Sequence, residues 1–303
     1  MSRVCRFDHC LGLGVSASPE GLVCDPGSGR YELAEAVNVD VRKGRLRRRP
    51  GFVRLLDQGM HSLFSDGANL YGGQADRLYQ IPGGGEPKVL RKGLTVDARL
   101  SFVAVGEAVY FANGFETGVI RDGTALPWSA ATYPGPDRTG RFVPPPAGHL
   151  LAHFAGRIWI ARENVVHFTE GAGLFDWEDS LAGFLPPATG RVRLLRPVAG
   201  GLFIGDAAGV TFAAGCDPKT MTFARVCPVA PLPGSDAPLE PGWHEAVAGQ
   251  PLPGLSAIWA GRDGLYLGRG NGQVGRLTAA VFPEASRAAA VTTANRYRLI
   301  LQP

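Results

Sequence analysis

The chain has 303 residues, 45% of them hydrophobic and 19% charged, a balance that excludes a largely disordered polypeptide and provides enough apolar volume for a substantial core. A formal net charge of +4 is too small to argue nucleic-acid binding from the total, and no run approaches the roughly 20 apolar residues of a bilayer-crossing helix. Five cysteines are an odd number for a disulfide framework, and MSRVCRFDHCLGLGV lacks the apolar run and cleavage pattern of a signal peptide, so the expectation is a soluble protein made with reduced thiols in a cytosol.

Residues 1–30 match no repeat and are expected to form an irregular arm. Within it Cys5, His9, Cys10 and Cys24 supply four soft or borderline ligands for zinc or an iron-sulfur centre. Their spacing matches no familiar finger, and unliganded thiols are the simpler expectation, with no cofactor. Next comes AVNVDVRKGRLRRRPGF over 36–52, where Arg42, Lys43, Arg45, Arg47, Arg48 and Arg49 crowd one hairpin. Such a hairpin serves as a docking element for an acidic patch on a neighbour, as a DNA-facing surface, or as an edge protected from aggregation by its charge. No interleaved aromatic accompanies the charges, so a protein partner is favoured over DNA.

From there a phrase recurs: a hydrophobic strand, a Gly-centred turn, then an apolar-aromatic strand. It reads LFSDGANLYGG, FVAVGEAVYFANG, HFAGRIWIA, PVAGGLFIGD and IWAGRDGLYLG, at intervals of about 40–60 residues, the period of a sheet repeated around an axis. The second copy continues through TGVIRDG to ALPWS, which gives four strands. The 42 Gly and 24 Pro residues suit short strands joined by tight turns. The pattern therefore predicts an all-β fold, a β-propeller of five blades, six being the next count, over residues 31–303. Residues 228–254 are read as an inserted loop. The fifth blade is expected to take RYRLILQP as its fourth strand, and 284–295 (EASRAAAVTTAN) is the best helical candidate. Ring closure is expected to join 33–41 or 51–56 with 296–301.

Asp66, Asp122 and Asp263 each precede Gly and read as tight-turn residues rather than calcium ligands. His149, His153 and His167 fall in the third repeat as core or cross-strand residues, with a shared metal as the competing reading. Cys216 and Cys227 bracket a hairpin across which pairing is geometrically open but not needed. Trp177, Glu178 and Asp179 read as turn residues, since paired-acid chemistry needs a controlled separation that adjacency does not provide. No catalytic set emerges, and the chain is not expected to be an enzyme.

Three phrases carry a resemblance. The hairpin at 36–52, VYFANGFETGVIRDG at 109–123 and RIWIARENVVHFTEGAGLFDWED at 157–179 resemble segments of β-propeller proteins in the tails of bacteriophages, including hub or nozzle proteins and minor tail or baseplate proteins. The resemblance implies a virion structural protein, assembled in the host cytoplasm into a symmetric homo-oligomer or ring with other tail proteins. It implies no catalytic residues. The alternative expectation is a receptor-binding module that attaches to the host surface through loops bearing Trp128, Trp177 and Trp243. Exposed rings would favour that reading.

Overall fold

The computed structural model describes residues 9–13, 18–25, 27–35, 37, 39–42, 44–49, 59–83, 85–241, 252, 254–278, 287–293 and 296–302. Two compact units divide at Met1–Gln58 and Gly59–Pro303.

In the first unit β1 (His9–Leu13), β2 (Cys24–Asp25) and β3 (Arg30–Leu33) form a three-stranded sheet in the order β1-β3-β2. The parallel β1–β3 pairing ties the expected irregular arm to the residues that follow it, so the compact unit runs past residue 30. A hairpin of β4 (Val39–Arg42) and β5 (Arg45–Arg48) completes the unit.

The second unit is a succession of four-stranded antiparallel sheets. The first holds β6 (His61–Ser65), β7 (Asn69–Gln74), β8 (Arg77–Pro82) and β9 (Lys88–Arg91), and the second β10 (Ser101–Val105), β11 (Ala108–Ala112), β12 (Thr117–Arg121) and β13 (Thr124–Leu126). Short β14 (Phe142–Val143) precedes the third sheet, which holds β15 (Leu150–Phe154), β16 (Arg157–Arg162), β17 (Val165–Phe168) and, after β18 (Glu178–Asp179), β19 (Phe184–Leu185). The fourth holds β20 (Leu194–Val198), β21 (Gly201–Asp206), β22 (Gly209–Ala214) and β23 (Thr222–Cys227). The fifth holds β24 (Ala237–Leu239), β25 (Ser256–Gly261), β26 (Gly264–Gly268) and β27 (Val274–Arg276). A two-stranded sheet of β28 (Arg287–Thr293) and β29 (Arg296–Gln302) follows.

The turns explain why the chain reverses where it does. Asp122 and Gly123 both have positive φ, +50° and +66°, as do Ala155 and Gly156, +50° and +71°. Two such residues in succession match the right-handed twist of the strands they join. Gly costs nothing there, whereas Ala155 has to tolerate a left-handed backbone.

Strand period 2 then places the core in the seams between sheets. On β11, Val109 and Phe111 pack with Tyr71 and Leu78 of the first sheet, while Tyr110 and Ala112 face Leu151 and Ile160 of the third. On β16, Ile158 and Ile160 look back to the second sheet, and Trp159 and Ala161 look forward to Leu202 and Ile204. Phe203 on β21 turns to Trp259 of the fifth sheet, with ring centroids 5.3 Å apart. These strands are buried on both faces, so they read as continuous apolar runs without alternation.

Three expectations are corrected. The fourth strand of the fifth sheet is not RYRLILQP: β24, from the expected inserted loop, supplies the first strand, and the terminal strand pairs with β28. The described part of the helical candidate is strand β28, because the β-branched run of Val291, Thr292 and Thr293 resists the preceding turn of a helix. Among the described residues no sheet joins strands from the two ends of the chain, and 51–56 lies outside those residues. The fifth sheet and the terminal hairpin meet instead through side chains, with Thr292 Oγ1 donating to the carbonyl of Pro238 at 2.8 Å. Arg99, at the start of the second sheet, donates to the carbonyl of Ala288 at 3.2 Å. Among the described residues no helix is long and apolar enough to cross a membrane.

Candidate functional site

The basic hairpin is built on a single glycine. Gly44 has φ +75°, accepts a hydrogen bond from the backbone N–H of Cys10 at 2.7 Å, and lies against the His9 ring, which an added Cβ would strike. Register pairs Val41 with Leu46 and Val39 with Arg48, so Arg45 and Arg47 occupy one face of β5, and Leu46 and Arg48 the other. Arg45, Arg47, Arg48 and Arg49 are all exposed, as are Val41 and Leu46. Arg42 is placed in β4 by its backbone, and Lys43 lies outside the described residues. Guanidinium groups crowded on one short hairpin repel one another. Their planar forks match carboxylate or phosphate oxygens two at a time.

Of the four candidate metal ligands, the described Cys10 and Cys24 are held apart. Cys10 and Cys24 both register against Tyr31, on opposite sides of β3. That puts the two cysteines two strand spacings apart, about 10 Å, with Tyr31 between them. Zinc requires its sulfur ligands at about 2.3 Å. Cys10 is buried, Cys24 is exposed, and Cys5 lies outside the described residues. Among the described residues no three His, Cys, Asp or Glu side chains are grouped to hold a metal ion.

The tryptophans named as receptor contacts are not open platforms. Trp128 is 3% exposed and Trp177 8%; Trp243 lies outside the described residues. Trp128 donates its indole N–H to the carbonyl of Phe175 at 2.9 Å and packs on Tyr110. Trp177 meets the Tyr133 ring edge-on.

The Trp-Glu-Asp phrase is instead a buckle for the long connector before the third sheet. Glu178 and Asp179 form β18, which pairs with β14. Arg141 clamps one Asp179 oxygen through Nε, at 2.9 Å, and Nη2. That guanidinium holds the Asp179 carboxyl below the usual carboxylate range, against the opposing effect of burial. His167 Nδ1 lies 2.8 Å from Glu178 Oε1, and Asp137 takes the backbone N–H groups of Thr139, Arg141 and Phe142. Sequence reasoning missed Arg141 and Asp137. Only the local Asp-Arg-Thr turn at 137–139 signals either of them.

The three histidines of the third sheet have separate surroundings. His149 Nε2 meets the carbonyl of Val192 at 2.7 Å, His153 meets the edge of the Phe175 ring, and His167 meets Glu178. Burial pushes the His149 and His153 imidazoles below their ordinary value. Cys216 and Cys227 stand at opposite ends of the β22–β23 hairpin, since Cys227 registers with Val210 and Thr222 with Ala214. Both are free thiols, and strand length forbids the cross-strand pairing left open by sequence. Asp66 accepts from the N–H groups of Ala68 and Asn69, and Asp263 from the Tyr266 hydroxyl, both within hairpin turns.

No protein-family model matches the chain, and no curated protein matches it either. The chain is loosely similar to several solved structures. The extracellular domain of a one-component system from B. thetaiotaomicron is 13% identical with a TM-score of 0.47, over 76% of this chain and 29% of that one. The chain thus spans about three tenths of that protein's length. An inactive variant of virginiamycin B lyase from Staphylococcus aureus, with quinupristin, is 14% identical with a TM-score of 0.47, over 82% of this chain and 85% of that one. The WD40 domain of Neurospora crassa Pan2 is 10% identical with a TM-score of 0.40, over 75% and 80%. At this level the likenesses carry no function across.

Proposed function

We propose that the chain is a structural protein of a bacteriophage virion, a five-bladed propeller carrying a small N-terminal unit and built into the tail at the tip, baseplate or nozzle. It assembles in the host cytoplasm with other tail proteins. Five successive four-stranded sheets support the blade count. The Arg99–Ala288 bond supports a ring sealed by side chains and the terminal hairpin rather than by one shared sheet. The proposal assigns the chain no catalysis of its own.

One observation carries the reading. Of the three phage-like phrases, the Trp-Glu-Asp phrase spends its chemical groups inside the fold, whereas the hairpin displays Arg45, Arg47 and Arg48 to solvent. Exposed arginines beside the exposed Val41 and Leu46 suit an acidic protein surface, since Arg is enriched at interfaces. Among the described residues the rings that the receptor-binding reading names, Trp128 and Trp177, are buried and offer it no stacking surface.

The test is mass spectrometry of purified particles. Peptides of the wild-type chain are expected in them. A variant with Arg45, Arg47 and Arg48 changed to Glu is expected to fold with an unchanged melting temperature and to be missing from the particles. Wild-type particles with no peptide of this chain would refute the assignment.

A further inference from the structure

Among the described residues β29 presents an open edge unlike any other in the second unit. The outer strands of the five four-stranded sheets are blunted in familiar ways. β13 and β27 have three residues and β19 two, β9 has four with Lys88 and Arg91 at its ends, and β23 is broken in register. β29 has seven residues, pairs in unbroken register, and among the described residues pairs with β28 alone.

The backbone polarity of that edge follows from Ala288. Its N–H donates to the carbonyl of Pro233 at 2.8 Å and its carbonyl accepts from Arg99, so both groups point away from β29. Ala288 opposite Leu301 is therefore a non-hydrogen-bonded pair, and by alternation so are Ala290 opposite Leu299 and Thr292 opposite Tyr297. The N–H and C=O groups of Tyr297, Leu299 and Leu301 then point away from β28, to the side where no described residue pairs with them.

We propose that β29 pairs antiparallel with β29 of a second copy, about a two-fold axis passing beside Leu299. Leu299 is the midpoint of Arg296–Gln302, so this axis gives full overlap and places outward-pointing groups at its centre. Tyr297 faces the partner's Leu301, and Arg298 faces the partner's Ile300. No arginine opposes another. The product is a sheet of β28, β29 and their two counterparts, with the same four strands as every other sheet of the propeller-like series, and the contact is self-complementary as two-fold symmetry requires. A hairpin of two strands alone is marginal in water. The inference rests on strand geometry and holds whether or not the chain is a tail protein.

The experiment is sedimentation of the full chain over a wide concentration range, with hydrogen exchange in parallel. Mass should rise to a dimer as the amides of Tyr297, Leu299 and Leu301 become protected. Ile300 is 68% exposed, so substitutions there leave the fold intact. Ile300→Lys sets a lysine against the partner's Arg298 twice and should weaken the dimer about tenfold, whereas Ile300→Glu should hold or tighten it. The proposal is overturned by a monomer at all concentrations, with the amides exchanging freely or protected by the chain itself. Protection only on adding a different protein, or a dimer indifferent to both variants, overturns it equally.

Discussion

Replacing Asp206 by asparagine keeps the shape of the side chain and removes its charge and one acceptor oxygen. In the fourth sheet this carboxylate takes the N–H and hydroxyl of Thr189 at 2.8 and 3.0 Å and the N–H of Gly190 at 3.2 Å on one oxygen. The other oxygen takes the N–H groups of Ala208 at 2.7 Å and Gly209 at 3.2 Å. Whichever way an amide is turned, its NH2 faces one of these donor sets. Turned toward Thr189 and Gly190 it meets an exposed N–H, a hydroxyl that can rotate to accept from it and one half-buried N–H; turned the other way it meets Ala208 and Gly209. Ala208 is exposed and water can take its place there, while Gly209 is buried and pays for the whole lost bond. Either way one glycine N–H is left without its acceptor, and that loss plus the lost charge assistance comes to about 2–3 kcal/mol. For a domain of this size that is a melting temperature lower by about 4–10 °C.

The pH dependence of that loss has a definite sign. Burial alone would raise the Asp206 carboxyl, but the donors around it prevail and hold it below the usual range. A depressed folded value stabilises the fold fully above the unfolded value, about 3.9, and the contribution fades as pH falls through the folded value. The gap between wild type and Asp206→Asn, followed by calorimetry, should stay constant from neutral pH to about pH 4 and close below it. Asp217→Asn is the control, because its carboxylate caps an open turn through the N–H of Lys219. A variant at 206 that melts with wild type, or a control that loses as much, would refute the reasoning.

Three other outcomes are expected. Arg196 holds Asp236 across the fourth and fifth sheets through Nε at 2.8 Å and Nη2 at 2.5 Å, with the Asp236 side chain only 11% exposed. Arg196→Met should lower stability by about 3 kcal/mol in denaturant titration, because it strands a nearly buried carboxylate. Thiol labelling followed by peptide mapping should modify the exposed Cys24 and Cys216 well before the buried Cys10 and Cys227, where burial also pushes the Cys227 thiol up. Trp159→Ala should cost about 3–5 kcal/mol by emptying the seam between the third and fourth sheets, where the ring is fully buried; intrinsic fluorescence during urea unfolding measures it.

The repeated phrases made the four-stranded sheets legible because their signals are local. Asp122-Gly123 and Ala155-Gly156 announce turns, and the apolar runs between them announce strands closed in on both faces. β24 was hidden because Pro238 reads as a loop residue, and it is accommodated where the strand lies at the start of its sheet, free of an inner ladder bond. β28 was hidden because three consecutive alanines favour a helix in isolation, and packing of Ala290 on the fifth sheet together with the β-branched run after it decides otherwise. The same limit applies to the site. Clustered arginines show in a sequence, but the partner of Asp179 sits 38 residues upstream at Arg141, and nothing in the spacing identifies it. Burial of Trp128 likewise depends on Phe175, a distant carbonyl that no local pattern names.

The link from Arg99 to Ala288 spans 189 positions of chain, and that sets an order of events during synthesis. The early sheets can pair with their neighbours as each leaves the ribosome, since every hairpin closes within a few residues. The guanidinium of Arg99 has no carbonyl to grip until translation has passed residue 288. A nascent polypeptide halted before that point would carry a nearly finished row of sheets with an unlatched leading end, and would be recognisable by its sensitivity to protease there.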